Sequence, residues 1–539
     1  MNKIMPQIEH VVYFMLENRS FDNLLGWLYD DNKKPSRIIA NPKQQDMPFQ
    51  GLTENTYYNC FADDPIRHYV QRGTGFVMDV PNPDPNEPFL DVCEQIFGEY
   101  NGVAPLEGSQ AVMSGFLRNY HKAYKGFAGI LCDQGDTVFS TIAQMLGEHV
   151  PFVCERLTKE EALPILHTYA PEEVPVMNGL ARHFAVSDQW FSSVPTQTMA
   201  NRAFSVCGTS CGLVDNHGKL LGLVPGAYDA LSIWDVLSAH GYASPDDWMI
   251  YYQDKEEWEW CLTQQAFHIP DSANHLQHID HFFAMVEAGK LPSFSYLEPA
   301  WFGAHLKNNG NSYHPPSDLV PGEEFLLKLY ERLTAKPELW SKTLLIISFD
   351  EHGGTYDHVP PPWGAVPPWG DAEPPVHLEH GFRFNRFGIR VPTIMASPWI
   401  DEGVVFRSPT DVPFDHTSLI ATLLKWKGID PKKVGMGQRV AHAPTFESVL
   451  TRETLRDDVP TLALAPAAAA RLANPPSPAD TPPTPMQFKM LPNLLLHLAG
   501  GKLSELGMIE AMVEVLKDAR TAQDLFANIE RFRAKHSAG

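Results

Sequence analysis

Short apolar runs of strand length recur along this chain, and they constrain its fold more than any other feature. HVVYFML near the N-terminus is followed by HFAVSDQWF, SFSYLEP, TLLIISFD and VPTIMASPWI. Helical patterns such as GEEFLLKLYERLTA and SLIATLLKWK lie between them. Buried strands alternating with helix-length segments predict an α/β fold with a mostly parallel central sheet flanked by helices. A chain of 539 residues can bury a large core, and single α/β folds reach this length. Residues 32–116 are irregular, with many turn residues and aromatics, and read as a long insertion or lid. A Pro/Ala-rich stretch over 461–487 reads as a linker or surface strap. Residues 488–539 are strongly helical in pattern. The expected division is a main domain over 1–460, a linker over 461–487 and a C-terminal helical appendage over 488–539.

The formal net charge of -23 argues against a nucleic-acid partner, because phosphates are repelled. A phosphorylated substrate therefore needs a local site: a metal, a helix N-terminus or histidines. The cysteines, Cys60, Cys93, Cys132, Cys154, Cys207, Cys211 and Cys261, are odd in number and form no CxxC pair. They read as buried or free thiols with room for one or two disulfides, not as a disulfide framework or thiolate zinc site. The apolar run at residues 11–16 is too short to span a membrane and is flanked by Glu9 and Glu17. The expected location is the cytoplasm by default, or outside it by an export route that leaves no N-terminal mark.

Three stretches carry residues suited to chemistry. In LLIISFDEHGGTYDHVPPP a buried strand should end at Asp350-Glu351, where open α/β sheets place their ligands. His352, Asp357 and His358 follow; the plain alternative is a polar turn. In VVYFMLENRSFDNLLGWL the first strand should end at Glu17-Asn18, with Ser20 or Asp22 capping a helix. Glu17, Asn18, Asp350 and Glu351 could surround one divalent cation: Ca²⁺, Mg²⁺, Mn²⁺, Fe²⁺ or Zn²⁺. In FSSVPTQTMANRAFSVCGTSCG a helix should start near Thr198. A hydroxyl there is either a cap or, with a metal beside it, a nucleophile for phosphoryl transfer.

ENRSFDN, PTQTMANR and DEHGGTYDHVPPP, in that order, resemble the phosphoesterase family of bacterial and plant phospholipases C and a related acid phosphatase, within the alkaline-phosphatase-like superfamily. FDHTSLIATLLKW resembles a further family motif, and the similarity runs over residues 7–449. The resemblance implies that residues 1–460 are a phosphoesterase catalytic domain. It implies a phosphorylated Thr198 nucleophile, metal ligands Glu17, Asn18, Thr198, Asp350 and Glu351, and His314 contacting the phosphoryl group or protonating the leaving oxygen. His268 in AFHIP is a weaker match to a second family histidine. His352, His358, Asp357, Asp415, His416 and Arg202 are candidates for an outer shell. The implied substrate is a phospholipid such as phosphatidylcholine, or another phosphoester, with contact at a membrane surface. A threonine nucleophile is closer to the phospholipase C branch, since the acid phosphatase uses serine.

Two departures stand out. Family members usually carry a histidine in DPGH, where this chain has Glu87, and PNR at the nucleophile motif reads ANR, with Ala200 and Arg202. Other motifs compete. GTSCG matches GxSxG with Ser210 as nucleophile, but a helix instead of a strand should precede it. His275, His278 and His281 are three apart and read as one helix face, either solvated or metal-binding. Asp415 and His416 are either near the site or a helix start capped by Thr417. The expected function is a metal-dependent phospholipase C. The rivals are a broad phosphomonoesterase, a non-catalytic metal- or phosphate-binding protein, and a delivered lipase that docks through its C-terminal helices.

Overall fold

The structure, a computed structural model, describes residues 4–30, 32–99, 105–125, 154–216, 228–302, 310–474, 477, 479 and 481–536. In chain order the strands are β1 (His10–Leu16), β2 (Arg37–Ile39), β3 (Tyr58–Phe61), β4 (Asp64–Tyr69), β5 (Gln71–Arg72), β6 (His167–Thr168), β7 (Ala185–Ser187), β8 (Trp248–Tyr252), β9 (Leu276–His278), β10 (Phe294–Leu297), β11 (Thr343–Phe349), β12 (Thr393–Ala396) and β13 (Val404–Phe406). Nine of them form the central sheet, in the order β2-β13-β7-β12-β11-β1-β10-β8-β9. All its neighbours are parallel except β12, which runs against both β11 and β7. The sheet is mostly parallel, as the alternation of strand and helix patterns predicts.

The centre explains the sequence. β1 pairs β10 on one side and β11 on the other, and Val11 to Leu16 are all buried. A strand covered on both edges and both faces must be apolar throughout, which is why HVVYFML shows no alternation. Leu16 lies opposite Phe349 in the β1–β11 ladder, so Glu17 and Asp350 leave the sheet side by side. β7 runs parallel to β13, and the chain after β7 leads to the Thr198–Cys207 helix. Two strand ends and one helix start thus meet at one edge.

Residues 32–116 hold the β3–β4 hairpin and the Phe89–Phe97 helix. Phe61, Val70, Val92, Ile96, Met113 and Phe116 bury one another in a second apolar cluster beside the main core. The Pro/Ala-rich stretch carries the Pro466–Ala473 helix, with Ala468 in the main core. The C-terminal helices Pro485–Leu498, Glu505–Leu516 and Ala522–His536 bury Phe488, Leu491, Met512, Leu525 and Phe532 in that same core. Cys154 is disulfide-bonded, within the one or two disulfides the sequence left room for, and Cys60, Cys93, Cys207, Cys211 and Cys261 are free. Cys132 lies outside the described residues.

Glu323, in the Val320–Thr334 helix, braces a loop of the site. It accepts hydrogen bonds from Val176 N (2.7 Å), Met177 N (3.0 Å) and Tyr313 Oη (2.9 Å). Burial raises its pKa to about 7, against the pull of the Val176 N–H and the Tyr313 hydroxyl. The folded chain then holds a proton that the unfolded chain has lost between about pH 4.5 and 7. Its contribution to stability is full below that window and falls as pH rises through it. Glu323→Gln leaves one of these donors facing an NH₂ group, so it should destabilise at pH 5 and destabilise less at pH 8.5, a differential of up to about 3 kcal/mol. Thermal melts at the two pH values check this.

Candidate active site

Two carboxylates emerging together from adjacent buried strands repel each other, so their surroundings must supply positive charge. Arg202, on the Thr198–Cys207 helix, does this. Its Nη2 lies 2.7 Å from Glu17 Oε1, and its Nε 3.2 Å from Asp350 Oδ2. The guanidinium also stacks over Trp301, 4.9 Å from the ring centre. Burial raises the pKa of Glu17 well above the carboxylate range, Asp350 adds to the rise, and Arg202 opposes it.

Each acid divides its oxygens. Glu17 gives Oε1 to Arg202 and turns Oε2 towards Thr198 Oγ1, at 3.2 Å. Asn18 Oδ1 lies the same distance from that hydroxyl. Asp350 Oδ1 accepts from Asn18 N (3.0 Å) and Glu351 N (2.7 Å), tying the two strand ends together. Asn18 sits at φ +54°, a left-handed conformation that Asn tolerates better than most residues. The turn after Asp350 needs glycine at residue 353: its φ is +60°, and a Cβ there would lie 2.2 Å from the Asn18 carbonyl oxygen.

Glu351 Oε2 accepts from Gly353 N, at 2.6 Å, and its buried Oε1 lacks a hydrogen-bond partner. Burial raises the Glu351 pKa, with further repulsion from Glu87 and Asp350. Buried oxygen donors around an orphaned carboxylate oxygen suit a divalent cation, but the acidic groups whose ligand atoms lie within 4.8 Å of one another among the described residues are Asp22–Asp357–His358 and Asp84–Glu87–His314, not Glu17–Asp350–Glu351. Glu17, Asn18, Thr198, Asp350 and Glu351 are the residues that would hold it.

His314 is buried on the same side. Its Nδ1 engages the Pro315 carbonyl and lies 3.8 Å from Asp84 Oδ1, while its Nε2 lacks a partner. Burial, then the Lys489 ammonium, lowers its pKa to about 3, so the imidazole is neutral at neutral pH. His352 bridges Glu351 Oε2 (3.1 Å) and Gln95 Oε1 (2.7 Å), and burial lowers its pKa to about 3. His416 Nε2 meets the Asp350 carbonyl at 2.5 Å, and Asp415 pairs with Arg439 at 2.9 Å. Asp22, Asp357 and His358 form a separate buried knot around Arg390, with 2.8 Å from Arg390 Nη2 to Asp22 Oδ1. That knot fastens the Phe21–Leu25 helix, capped by Ser20, to the loop after Glu351.

His268 is not brought to this group. It is exposed, two residues past the buried end of the Leu262–Ala266 helix, and its Nδ1 pairs with Asp235 at 2.8 Å. Ser210 donates to the Leu213 carbonyl in a turn behind a helix, which is no nucleophile elbow. The expected helix bearing His275, His278 and His281 is three elements: a short helix ending at His275, strand β9 ending at His278, and a helix starting at Ile279. His275 stacks on Trp248, 3.7 Å between ring centres. Sequence reasoning missed Asp84, Lys489 and Arg390. Lys489 Nζ lies 2.8 Å from Asp84 Oδ2 and 2.6 Å from Glu87 Oε1, and Glu87 accepts from the Asn18 amide. The one available signal was Glu87 itself, a buried acid with no cation nearby in sequence.

The sequence pattern of the Phosphoesterase family matches residues 8–429. The chain is 31% identical over 468 residues to non-specific phospholipase C4 of Arabidopsis thaliana, covering 84% of this chain and 73% of that protein. It is 27% identical over 438 residues to phospholipase C A of Mycobacterium tuberculosis, covering 77% and 72%. A solved protein of the alkaline phosphatase superfamily from Vibrio parahaemolyticus aligns with a TM-score of 0.29 at 13% identity, over 49% of this chain and 63% of the other. That likeness is too slight to bear on the site.

Removing the arginine should expose the central repulsion. Arg202→Met is expected to cost roughly 3–5 kcal/mol of stability, the usual result of stripping one partner from a buried ion pair. Urea unfolding should give this loss in chelator, and a smaller loss when millimolar divalent cation is added.

Proposed function

Because the chain belongs to the Phosphoesterase family, a family of phosphoric ester hydrolases, we propose that it is a metal-dependent phospholipase C. The observation that carries the reading is the Thr198 hydroxyl, held 3.2 Å from both Glu17 and Asn18 at the first turn of a helix. The positive end of the helix dipole at that turn favours an anion, although the Met199 N–H is taken by Asn216 Oδ1 at 3.2 Å.

Thr198 Oγ attacks phosphorus, and the bond from phosphorus to the glycerol oxygen breaks. Diacylglycerol leaves, and the head-group phosphate remains esterified to Thr198. Water then cleaves that ester and restores the threonine. His314 handles the protons. With its Nδ1–H engaged by the Pro315 carbonyl, the neutral ring carries its lone pair on Nε2. It takes the proton that the Thr198 hydroxyl loses as it attacks phosphorus, before it can give one. The imidazolium so formed faces Asp84 and protonates the leaving alkoxide. The chemistry supplied by a divalent cation among Glu17, Asn18, Thr198, Asp350 and Glu351 (Ca²⁺, Mg²⁺, Mn²⁺, Fe²⁺ or Zn²⁺) is a lowered hydroxyl pKa and neutralised phosphoryl charge.

A lipid substrate is favoured by the surface of residues 32–116. Tyr58, Ile66, Phe76, Val77, Leu106 and Val112 expose large apolar side chains there, which is compatible with contact at a bilayer surface. No described helix is long and apolar enough to cross a membrane. The disulfide at Cys154 favours an oxidising compartment over the cytoplasm.

Thr198→Ala should lower kcat by about three orders of magnitude or more, with little change in melting temperature. Unchanged turnover of every phosphoester tested would instead favour a binding protein on this fold. The wild type should cleave p-nitrophenyl phosphorylcholine faster than p-nitrophenyl phosphate. Equal or greater activity on the monoester would move the assignment to a phosphomonoesterase. Chelation should abolish both activities.

A further inference from the structure

The C-terminal helices lie outside the residues matched by the family pattern, yet one of their side chains reaches the nucleophile's surroundings. The Pro485–Leu498 helix is fastened on either side of Lys489. Gln487 Nε2 donates to the Phe302 carbonyl at 2.9 Å, and Asn493 Oδ1 accepts from Trp260 at 2.7 Å. Phe488 and Leu491 are buried in the main core. Lys489 therefore projects from a fixed helix onto Asp84 and Glu87.

From Lys489 a chain of contacts leads inward. Lys489 Nζ meets Glu87 Oε1 at 2.6 Å, Glu87 Oε2 accepts from Asn18 Nδ2, and Asn18 Oδ1 lies 3.2 Å from Thr198 Oγ1. An ionised carboxylate only accepts hydrogen bonds. It selects the NH₂ end of the Asn18 amide and so turns the oxygen towards Thr198. Rotating the amide by 180° would put a donor where a cation needs an oxygen. A second arm runs from Lys489 to Asp84 at 2.8 Å, and from Asp84 to His314 at 3.8 Å.

We propose that Lys489 is a positioning residue of the active site: its ammonium holds Glu87, Glu87 orients the Asn18 amide, and the amide oxygen faces the nucleophile. The inference rests on the phosphoesterase reading above. Glu87 and Lys489 act as a unit. Glu87 is 3% exposed and lies beside Glu351 and Asp84, so without a cation its charge has nothing to balance it. In this chain a segment beyond the family's matched region completes the site.

The test compares Lys489→Met, Lys489→Arg, Glu87→Gln and the double variant K489M/E87Q in the full chain. Lys489→Met should lower kcat roughly 10–100-fold with KM within about threefold, and weaken Mn²⁺ binding, read from thermal shifts of chelated protein, by about tenfold. Lys489→Arg should recover most of both, and the double variant should be no worse than the more impaired single. The proposal is overturned if Lys489→Met keeps kcat and Mn²⁺ affinity within about threefold. It is also overturned if kcat falls only in step with melting temperature while Mn²⁺ affinity holds. If Lys489→Met does not fold, Glu87→Gln decides: a loss of kcat and Mn²⁺ affinity supports the relay, and unchanged values overturn it. A Thr198→Ala variant that keeps activity sinks the underlying reading, whereas an inactive Thr198→Ala beside an unaffected Lys489→Met sinks only this inference.

Discussion

Repulsion between Glu17 and Asp350 organises this protein. The register of β1 against β11 makes them neighbours, and the depth of both strands denies them water. Two such charges at close range and low dielectric cannot stand without compensation. Arg202 supplies part of it from the helix that also carries Thr198, one turn away on the same face. The residue that steadies the acids and the hydroxyl beside Glu17 therefore sit on one element. Thr198 is presented to the carboxylates because Arg202 is bound to them.

Around this centre the structure repeats one device: a buried acid pinned by an arginine on a different segment. Arg390 holds Asp22 and Asp357, Arg407 holds Asp188, and Arg439 holds Asp415. Each pair joins a loop at the sheet's edge to a neighbouring element. Fixed geometry is what phosphoryl transfer demands of a site, because positioning and electrostatics supply most of the catalysis. Lys489 extends the device to the C-terminal helices, where the pinned acid is Glu87.

Much of this was legible in the sequence, for identifiable reasons. Strands buried on both faces are apolar from end to end, so β1 and β11 and the acids that end them could be read directly. The helix at Thr198 was readable from the turn residues before it and the apolar spacing after it. Loop-borne positions were not. His268 looked like a site histidine by its neighbours in sequence, but it stands exposed on the loop after a short helix, where Asp235 holds it. The histidines at 275, 278 and 281 kept helical spacing while the backbone changed from helix to strand and back. Lys489 was invisible because its partners, Asp84 and Glu87, lie some four hundred positions away, and a lysine in an amphipathic helix reads as a solvated one.

The central claim is that Thr198 carries the phosphoryl group, and trapping that ester tests it most directly. The protein would be mixed with p-nitrophenyl phosphorylcholine in the presence of Mn²⁺, quenched in acid within the first turnover, and its peptides analysed by mass spectrometry. The account predicts phosphorylcholine esterified to Thr198, in an amount matching the burst of nitrophenol. A full burst with Thr198 unmodified, or with the adduct on another residue, would contradict it.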